Sequence, residues 1–162
     1  MRIGIMSDSH GNMAAIDAAV AAAGPVELWL HAGDCCPDAR YLQVITQTRV
    51  VNVSGNCDWP SSRAKDELVF NLNGHRIFLT HGHTYGVRYT TDMLAEAAAE
   101  KGADIVVYGH THVVDQTPGE AVFILNPGSV ARPRDELRSS FMLLDLLEDQ
   151  PPRVKLIRLA QV

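Results

Sequence analysis

The sequence predicts a mixed α/β fold in a single domain that spans residues 1–162. Short apolar runs alternate with helical segments in the first third, which is typical of a parallel sheet built from right-handed crossovers. In the middle, Asn73-Gly74 separates two apolar runs and supplies the positive φ angles of a tight hairpin turn. The last third carries strand patterns only. These observations predict two sheets packed face to face with helices outside.

The first third is predicted to contain three strands and two helices. Arg2–Met6 is a short apolar run, and Asn12–Ala23 is a helix with an Ala-rich face that stops at a Gly-Pro pair. The strand pattern returns at Glu27–His31. A short helix and a β-branched run follow at Asp38–Thr46 and Arg49–Val53.

The rest of the chain is predicted to be richer in strands. Glu67–Leu72 and Arg76–Thr80 form the hairpin, and Thr91–Lys101 is a helix rich in Ala and Glu. A buried strand follows at Asp104–Tyr108. The final four runs are expected to form a meander: Val113–Thr117, Ala121–Leu125, Ser140–Leu146 and Arg153–Leu159.

Composition excludes several classes of function. The chain has 162 residues, of which 46% are hydrophobic and 20% charged, so it can bury a core without disulfide or metal staples. Its 14 basic and 19 acidic residues give a net charge of −5, and no basic stripe indicates binding to nucleic acid or an anionic membrane. No apolar stretch resembles a signal peptide or a membrane helix. The three cysteines favour reduced thiols, and we expect a cytoplasmic protein.

Side chains that can bind metal follow five of the predicted strands. They are Asp8, His10, Asp34, Asn56, His81, His110 and His112. The crevice beyond the carboxyl ends of strands is where sites form in open α/β sheets, so we expect these groups to converge. Residues i and i+2 of an extended segment face the same side, which would let Asp8 act with His10, and His110 with His112. Glycines precede or interrupt these turns at positions 33, 55, 82 and 109.

The kinds of side chain indicate which metals fit. Carboxylate, imidazole and one amide oxygen suit borderline divalent ions such as Mn²⁺, Fe²⁺, Ni²⁺ or Zn²⁺ better than Ca²⁺ or Cu⁺. The sequence therefore predicts a transition-metal centre.

An ordered set of short motifs carries a family resemblance. They are DSH at 8–10, GD at 33–34, GNCD at 55–58, THGH at 80–83, GHTH at 109–112 and NPGSVARPR at 126–134. In this order the set resembles the calcineurin-like metallophosphoesterases, and within them the small single-domain YfcE-like phosphodiesterases. The resemblance implies a four-layer α/β/β/α sandwich of two mixed β-sheets flanked by helices.

The resemblance also implies a site with two metal ions. Asp8, His10 and His112 would hold the first ion, Asn56, His81 and His110 the second, and Asp34 both. Mn²⁺ is the first expectation for both ions. Two carboxylates against two divalent ions leave about two positive charges, which suits a phosphate ester and lowers the pKa of a bridging water. Attack of the resulting hydroxide on phosphorus is the expected reaction.

Two further residues are candidates for proton transfer. Many members of the superfamily carry His after the Asn of the GNCD motif, where it can protonate the leaving group, but this chain has Cys57. Cys57 is either inert, pocket-lining or a catalytic thiol, and His83 is the nearest alternative acid. Arg132 and Arg134 either reach a substrate phosphate or are solvated, and neither is assigned to the site.

The leading function is a phosphodiesterase that acts on a small or mid-sized phosphate ester. The first alternative is a phosphomonoesterase or phosphoprotein phosphatase that uses the same metals. The second is a non-catalytic protein-binding scaffold, because the retromer scaffold subunit resembles this fold. We expect no nucleic-acid or membrane partner, and a homo-oligomer stays open.

Overall fold

The computed structural model of the protein describes residues 1–59, 63–119, 121–135, 138–147 and 150–160. The strands are β1 (Arg2–Met6), β2 (Leu28–His31), β3 (Val50–Asn52), β4 (Glu67–Leu72), β5 (His75–Thr80), β6 (Ile105–Val107), β7 (Val114–Pro118), β8 (Phe123–Pro127), β9 (Ser140–Asp145) and β10 (Arg153–Arg158). The helices are α1 (Met13–Ala23), α2 (Cys36–Thr46) and α3 (Asp92–Glu100). A 3-10 turn covers His83–Tyr85.

The strands form two mixed sheets of five strands each. The first sheet has the order β10-β9-β1-β2-β3, and the second has the order β4-β5-β6-β8-β7. Strands β1, β2 and β3 are parallel, as are β5, β6 and β8. The remaining neighbours pair antiparallel. The prediction of a parallel unit followed by antiparallel pairing is confirmed.

Three apolar layers explain why the sheets stack with helices outside. Alternate residues of the strands, such as Ile3 of β1 and Ile77 of β5, fill the space between the sheets and are fully buried. The outer face of the first sheet packs Trp29 against Ile16 of α1. The outer face of the second sheet packs Phe78 against Leu94 of α3. This order of layers is the predicted α/β/β/α sandwich.

Two local features of the sequence have a direct counterpart in the structure. Asn12, predicted as the first residue of a helix, caps α1, and its side-chain Oδ1 accepts a hydrogen bond from Ala15 N at 3.1 Å. Asn73 and Gly74 connect β4 to β5 with φ angles of 47° and 86°, the left-handed values that a two-residue hairpin turn requires. Among the described residues, no helix has the length and apolar character needed to cross a bilayer.

The predicted C-terminal meander is wrong. Strands β7 and β8 pair with each other and extend the second sheet through β6. Strands β9 and β10 also pair with each other, but β9 joins the first sheet beside β1. The four strands are therefore two separate pairs, and the chain crosses between the sheets after β8. This crossing carries Ser129–Arg134 along the end of the sandwich where the predicted metal ligands lie.

Candidate metal centre

The loops that follow five parallel strands bring the predicted metal ligands to one end of the sandwich. Asp8 and His10 follow β1, Asp34 follows β2, and Asn56 follows β3. The remaining three follow strands of the second sheet: His81, His110 and His112. The two sheets are joined here, since His81 Nδ1 donates a hydrogen bond to Ala32 O at 2.7 Å.

The side chains converge through left-handed backbone, which corrects the expectation of extended segments. The φ angles of five predicted ligands are positive: Asp8 55°, His10 46°, Asp34 58°, His110 68° and His112 60°. Left-handed backbone costs on the order of 1–2 kcal/mol for each residue with a Cβ atom. Such strain persists where surrounding structure over-determines it, and its concentration is typical of functional sites.

Two of the neighbouring glycines have no room for a side chain. A Cβ atom at Gly55 would overlap the Asp34 carboxylate and lie 2.5 Å from Asp34 N. A Cβ atom at Gly109 would overlap Ser7 Oγ and lie 2.9 Å from Asp8 Oδ2. These glycines are required for the close packing of the loops, a role different from the sharp turning expected from the sequence.

One group of ligand atoms matches the first predicted metal position. Asp8, His10, Asp34 and His112 each place one ligand atom within 4.8 Å of those of the others. His112 Nε2 lies 3.1 Å from Asp8 Oδ1 and 3.3 Å from His10 Nε2. Two atoms that bind one divalent ion at about 2.1 Å lie about 3.0–3.4 Å apart, so these separations fit a shared ion.

A second group matches the other predicted position. His81 Nε2 lies 3.1 Å from Asn56 Oδ1 and 3.4 Å from Asp34 Oδ1. The other carboxylate oxygen of Asp34, Oδ2, lies 3.8 Å from His10 Nε2 of the first group. Asp34 therefore presents one oxygen to each group, which suits the predicted bridging position.

In the centre, nitrogen and oxygen lone pairs of the predicted ligands face one another. His81 and His112 each donate Nδ1–H to a backbone carbonyl, that of Ala32 at 2.7 Å and that of Arg132 at 2.6 Å. Each neutral ring is therefore unprotonated at Nε2, which faces other acceptors. Asp8 Oδ1 is buried and accepts no hydrogen bond within the described chain. Facing acceptors need a cation between them, so these residues fit divalent metal ions.

The pKa values reflect the same arrangement. Burial opposes the charged form of Asp8, but the neighbouring imidazoles of His112 and His81 and the hydrogen bond from Ser7 outweigh it and lower the pKa of this carboxyl group. Asp34 behaves likewise, because His81 and Cys57 outweigh its burial and hold its pKa well below the usual range. Burial would lower the pKa of His81, but the negative charges of Asp34 and Asp8 raise it, and a metal ion at Nε2 would satisfy the same attraction for positive charge. Both carboxylates are therefore ionised at neutral pH.

His110 lies beside the second group with its Nε2 atom already engaged. Its ring centroid is 5.1 Å from that of His81. The Arg88 side chain donates from Nε to His110 Nε2 at 2.9 Å. Burial and the charges of His81 and Arg88 lower the pKa of His110 to about 4. The structure thus brings His110 to the centre, while Arg88 occupies the lone pair that a metal would use.

The two candidate acids are placed differently. Cys57 lines the cavity above the centre, and burial and Asp34 raise the pKa of its thiol to about 11. His83 lies beside the second group, with its ring centroid 5.5 Å from that of His81 and 6.1 Å from that of His110. It is absent from the described cavity lining. A thiol with this pKa is not an activated nucleophile.

Several supporting residues carried no clear signal in the sequence. Ser7 Oγ donates to Asp8 Oδ2 at 2.6 Å and turns the other oxygen, Oδ1, toward the histidines. Ser129 Oγ donates to Asp8 O at 2.7 Å, and its place in the NPGS motif was the one available clue. Arg88 stands in an irregular exposed segment, where no pattern marks it. Asp58, the last residue of the GNCD motif, braces the Asn56 turn by accepting a hydrogen bond from Gly55 N at 2.8 Å.

An open cavity of about 380 Å³ lies over the centre. Its described lining combines predicted ligands with arginines: His10, Asp34, Asn56, Cys57, Arg88, His110, His112, Arg132, Pro133 and Arg134. This volume falls in the range of small-molecule sites.

Comparison with known proteins supports the same chemistry. The model of the calcineurin-like phosphoesterase superfamily domain matches residues 1–149. The probable metallophosphoesterase YsnB of Bacillus subtilis is 32% identical over 150 residues, which are 92% of this chain and 86% of that protein. Phosphodiesterase YfcE of Escherichia coli is 35% identical over 107 residues, 60% of this chain and 53% of that protein.

Solved structures share the fold. A predicted phosphoesterase from Streptococcus pneumoniae matches with a TM-score of 0.82 and 28% identity, over 97% of this chain and 88% of that chain. Vps29 from Entamoeba histolytica in complex with Zn²⁺ matches with a TM-score of 0.70 over 98% of this chain and 99% of that chain. Its 20% identity shows the fold alone. The chain therefore belongs to the calcineurin-like phosphoesterase superfamily, in its YfcE-like branch, and is a metallophosphoesterase.

Proposed function

We propose that the protein is a phosphodiesterase that hydrolyses a small phosphate ester with two divalent metal ions. The observation that carries this proposal is the set of buried acceptor atoms that face one another across Asp34. Asp8, His10 and His112 would hold one ion, and Asn56, His81 and His110 the other, with Asp34 between them. Release of His110 Nε2 from Arg88 would complete the second group. The names of the relatives favour a diester over a monoester.

Hydrogen bonds from neighbouring residues fix the orientation of the two carboxylates that would bind metal. Divalent ions, when bound here, supply Lewis-acid polarisation of a phosphoryl oxygen and lower the pKa of a coordinated water. Ser7 and the backbone N–H of His110 bind Asp8 Oδ2, at 2.6 and 3.1 Å, and so fix the rotation of that carboxylate. Cys57 N donates to Asp34 Oδ1 at 2.9 Å and fixes the other carboxylate. Little rearrangement is then needed during the reaction.

The proposal also covers the identity of the two metal ions and the cellular location of the protein. Mn²⁺ is our first choice for both positions, with Fe²⁺, Ni²⁺ and Zn²⁺ as alternatives, because imidazole, carboxylate and amide ligands suit all four. A cytoplasmic location agrees with the absence of any disulfide among the described cysteines. The acidic balance of the chain weighs against a nucleic-acid polymer as substrate.

Metal removal tests the function directly. Protein stripped with a chelator should not hydrolyse bis-p-nitrophenyl phosphate, and addition of Mn²⁺ should restore the activity, because bound metal is the proposed activator of the attacking water. Nitrophenolate release measures the rate, and p-nitrophenyl phosphate measured in parallel separates diester from monoester preference. A protein that binds no metal under metal-replete conditions would instead support the scaffold alternative. Activity that is unaffected by stripping would contradict a metal-dependent reaction.

The position of Cys57 leads to a second prediction, on leaving groups. A positioned acid contributes on the order of 10²–10⁴-fold to proton transfer, and no imidazole other than the predicted ligands lines the described cavity. We therefore expect kcat/KM to fall steeply as the pKa of the leaving group rises. A series of aryl and alkyl phosphodiesters measures this slope, with nitrophenyl esters cleaved readily and alkyl esters slowly.

Variants of Cys57 and His83 test which residue, if any, protonates the leaving group. Cys57→His should flatten the slope by offering an imidazole, and Cys57→Ala should leave it steep. If the natural enzyme shows no dependence on the leaving group, either His83 protonates it or chemistry is not rate-limiting. His83→Ala separates these outcomes, because the steep dependence returns only if His83 was the acid.

A further inference from the structure

The lining of the cavity over the metal centre is rich in arginine. Arg88, Arg132 and Arg134 line it, and Asp34 is the one carboxylate among the described lining residues. Within the described ranges, the ion pairs of arginine and lysine side chains involve other residues: Arg2, Lys101 and Arg158. On a chain with a net charge of −5, three arginines beside one lining carboxylate are a local concentration of positive charge.

The backbone that carries two of these arginines is tied to the metal-binding loops. Ser129 Oγ donates to Asp8 O at 2.7 Å and accepts from Arg132 N at 2.7 Å. His112 Nδ1 donates to Arg132 O at 2.6 Å, and Arg134 N donates to His112 O at 3.0 Å. The backbone of both arginines is therefore fixed relative to Asp8 and His112, as expected for residues of a binding site.

The charges of the centre leave these arginines without an anion. Two divalent ions and two carboxylates leave about two positive charges, which a hydroxide and one phosphodiester neutralise. A phosphodiester carries one negative charge, so nothing in such a substrate offsets Arg132 and Arg134. Guanidinium groups bind phosphate or carboxylate through paired hydrogen bonds. Arg88 donates to His110 Nε2 at 2.9 Å and must release it for the second ion to bind, so this inference is limited to Arg132 and Arg134.

We propose that the preferred substrate is a phosphodiester with a second anionic group, a phosphate or a carboxylate, that Arg132 and Arg134 bind. This inference rests on the proposed phosphodiesterase function. The cavity volume of about 380 Å³ leaves room for more than the reacting phosphate.

Substrates that differ only in the second anion test the proposal. The first is the p-nitrophenyl ester of thymidine 5′-phosphate with a free 3′-hydroxyl group. The second carries a 3′-phosphate, and the third carries a 3′-hemisuccinate, whose terminal carboxylate separates the two kinds of anion. All three share the reacting phosphate and the leaving group. We expect kcat/KM to be at least about tenfold higher for one or both anionic esters, through a lower KM.

Paired variants locate the effect. Arg132→Met with Arg134→Met should reduce the preference ratio to about one, whereas both arginines changed to Lys should retain part of it. Arg49→Met with Arg153→Met removes the same charge from the residue before β3 and from the first residue of β10, at the opposite end of the first sheet, and should keep the ratio. Because Arg132 and Arg134 are exposed, the preference should also decrease with added salt.

The outcomes distinguish this inference from the function on which it depends. Failure to cleave bis-p-nitrophenyl phosphate with any metal would overturn the phosphodiesterase function itself. Cleavage of that ester together with equal kcat/KM for all three thymidine esters would overturn the second-anion subsite alone. A preference that persists in the Arg132→Met, Arg134→Met variant would also overturn it.

Discussion

Asp34→Asn should abolish activity more completely than a change of any other single predicted ligand. Asp34 presents Oδ1 to His81 Nε2 at 3.4 Å and Oδ2 to His10 Nε2 at 3.8 Å, so its charge serves both metal positions. An amide has nearly the same shape but lacks that charge. Because metal catalysis supplies several kcal/mol, we expect a loss of about a thousandfold or more in kcat/KM. Hydrolysis of bis-p-nitrophenyl phosphate measures it.

Metal titration provides the matched controls for this variant. In Asp34→Asn, isothermal titration with Mn²⁺ should show weakened binding at both positions. His10→Ala should weaken mainly the ion held with Asp8 and His112, and His81→Ala mainly the ion held with Asn56. If Asp34→Asn retained two ions at full affinity, Asp34 could not bridge them. If His10→Ala and His81→Ala lost the same ion, as seen by anomalous scattering, the division of ligands would be wrong.

The fold was largely predictable because most of its signals are local. Apolar runs define β1 and β2, and Asn73-Gly74 defines the turn between β4 and β5 whatever the rest of the chain does. The local sequence of β9 does not determine which sheet this strand joins. It pairs with β1 through partners such as Arg2 and Asp145, and an apolar run alone does not encode which distant strand it joins. The predicted meander failed for this reason.

The order of the strands predicted which residues meet at the candidate site, but it did not predict their backbone geometry. Ligands after parallel strands must meet at one edge, which brings Asp8 near Asp34 without knowledge of side-chain direction. The extended i and i+2 geometry proved wrong because left-handed residues, such as His110 and His112, turn the backbone instead. Arg88 could not be predicted, since its contact with His110 depends on how an irregular loop folds over the centre.

Gly109→Ala should damage the metal centre without changing a ligand. Gly109 is not in the left-handed region, so alanine would not strain its own backbone. The new methyl group would overlap Ser7 Oγ and lie 2.9 Å from Asp8 Oδ2 and 3.0 Å from Ala32 O. Ser7 must then move, and its 2.6 Å hydrogen bond no longer holds Asp8. We expect about 10–100-fold weaker Mn²⁺ binding, as for loss of other groups that orient ligands.

Stability must be separated from metal affinity in this test, because overpacking also costs about 1–3 kcal/mol of unfolding free energy. Gly102→Ala is the control: its φ angle is 65°, its Cβ atom would meet nothing closer than Arg76 Cδ at 3.9 Å, and it precedes β6 at the end away from the site. It should lower the melting temperature with unchanged Mn²⁺ affinity, whereas Gly109→Ala should lower both. Removal of the Ser7 hydroxyl in Ser7→Ala, Gly109→Ala should make the two changes non-additive, because the closest clash of the new methyl group, with Ser7 Oγ, is then absent. Full Mn²⁺ affinity in Gly109→Ala would show that Asp8 does not depend on Ser7 for its orientation.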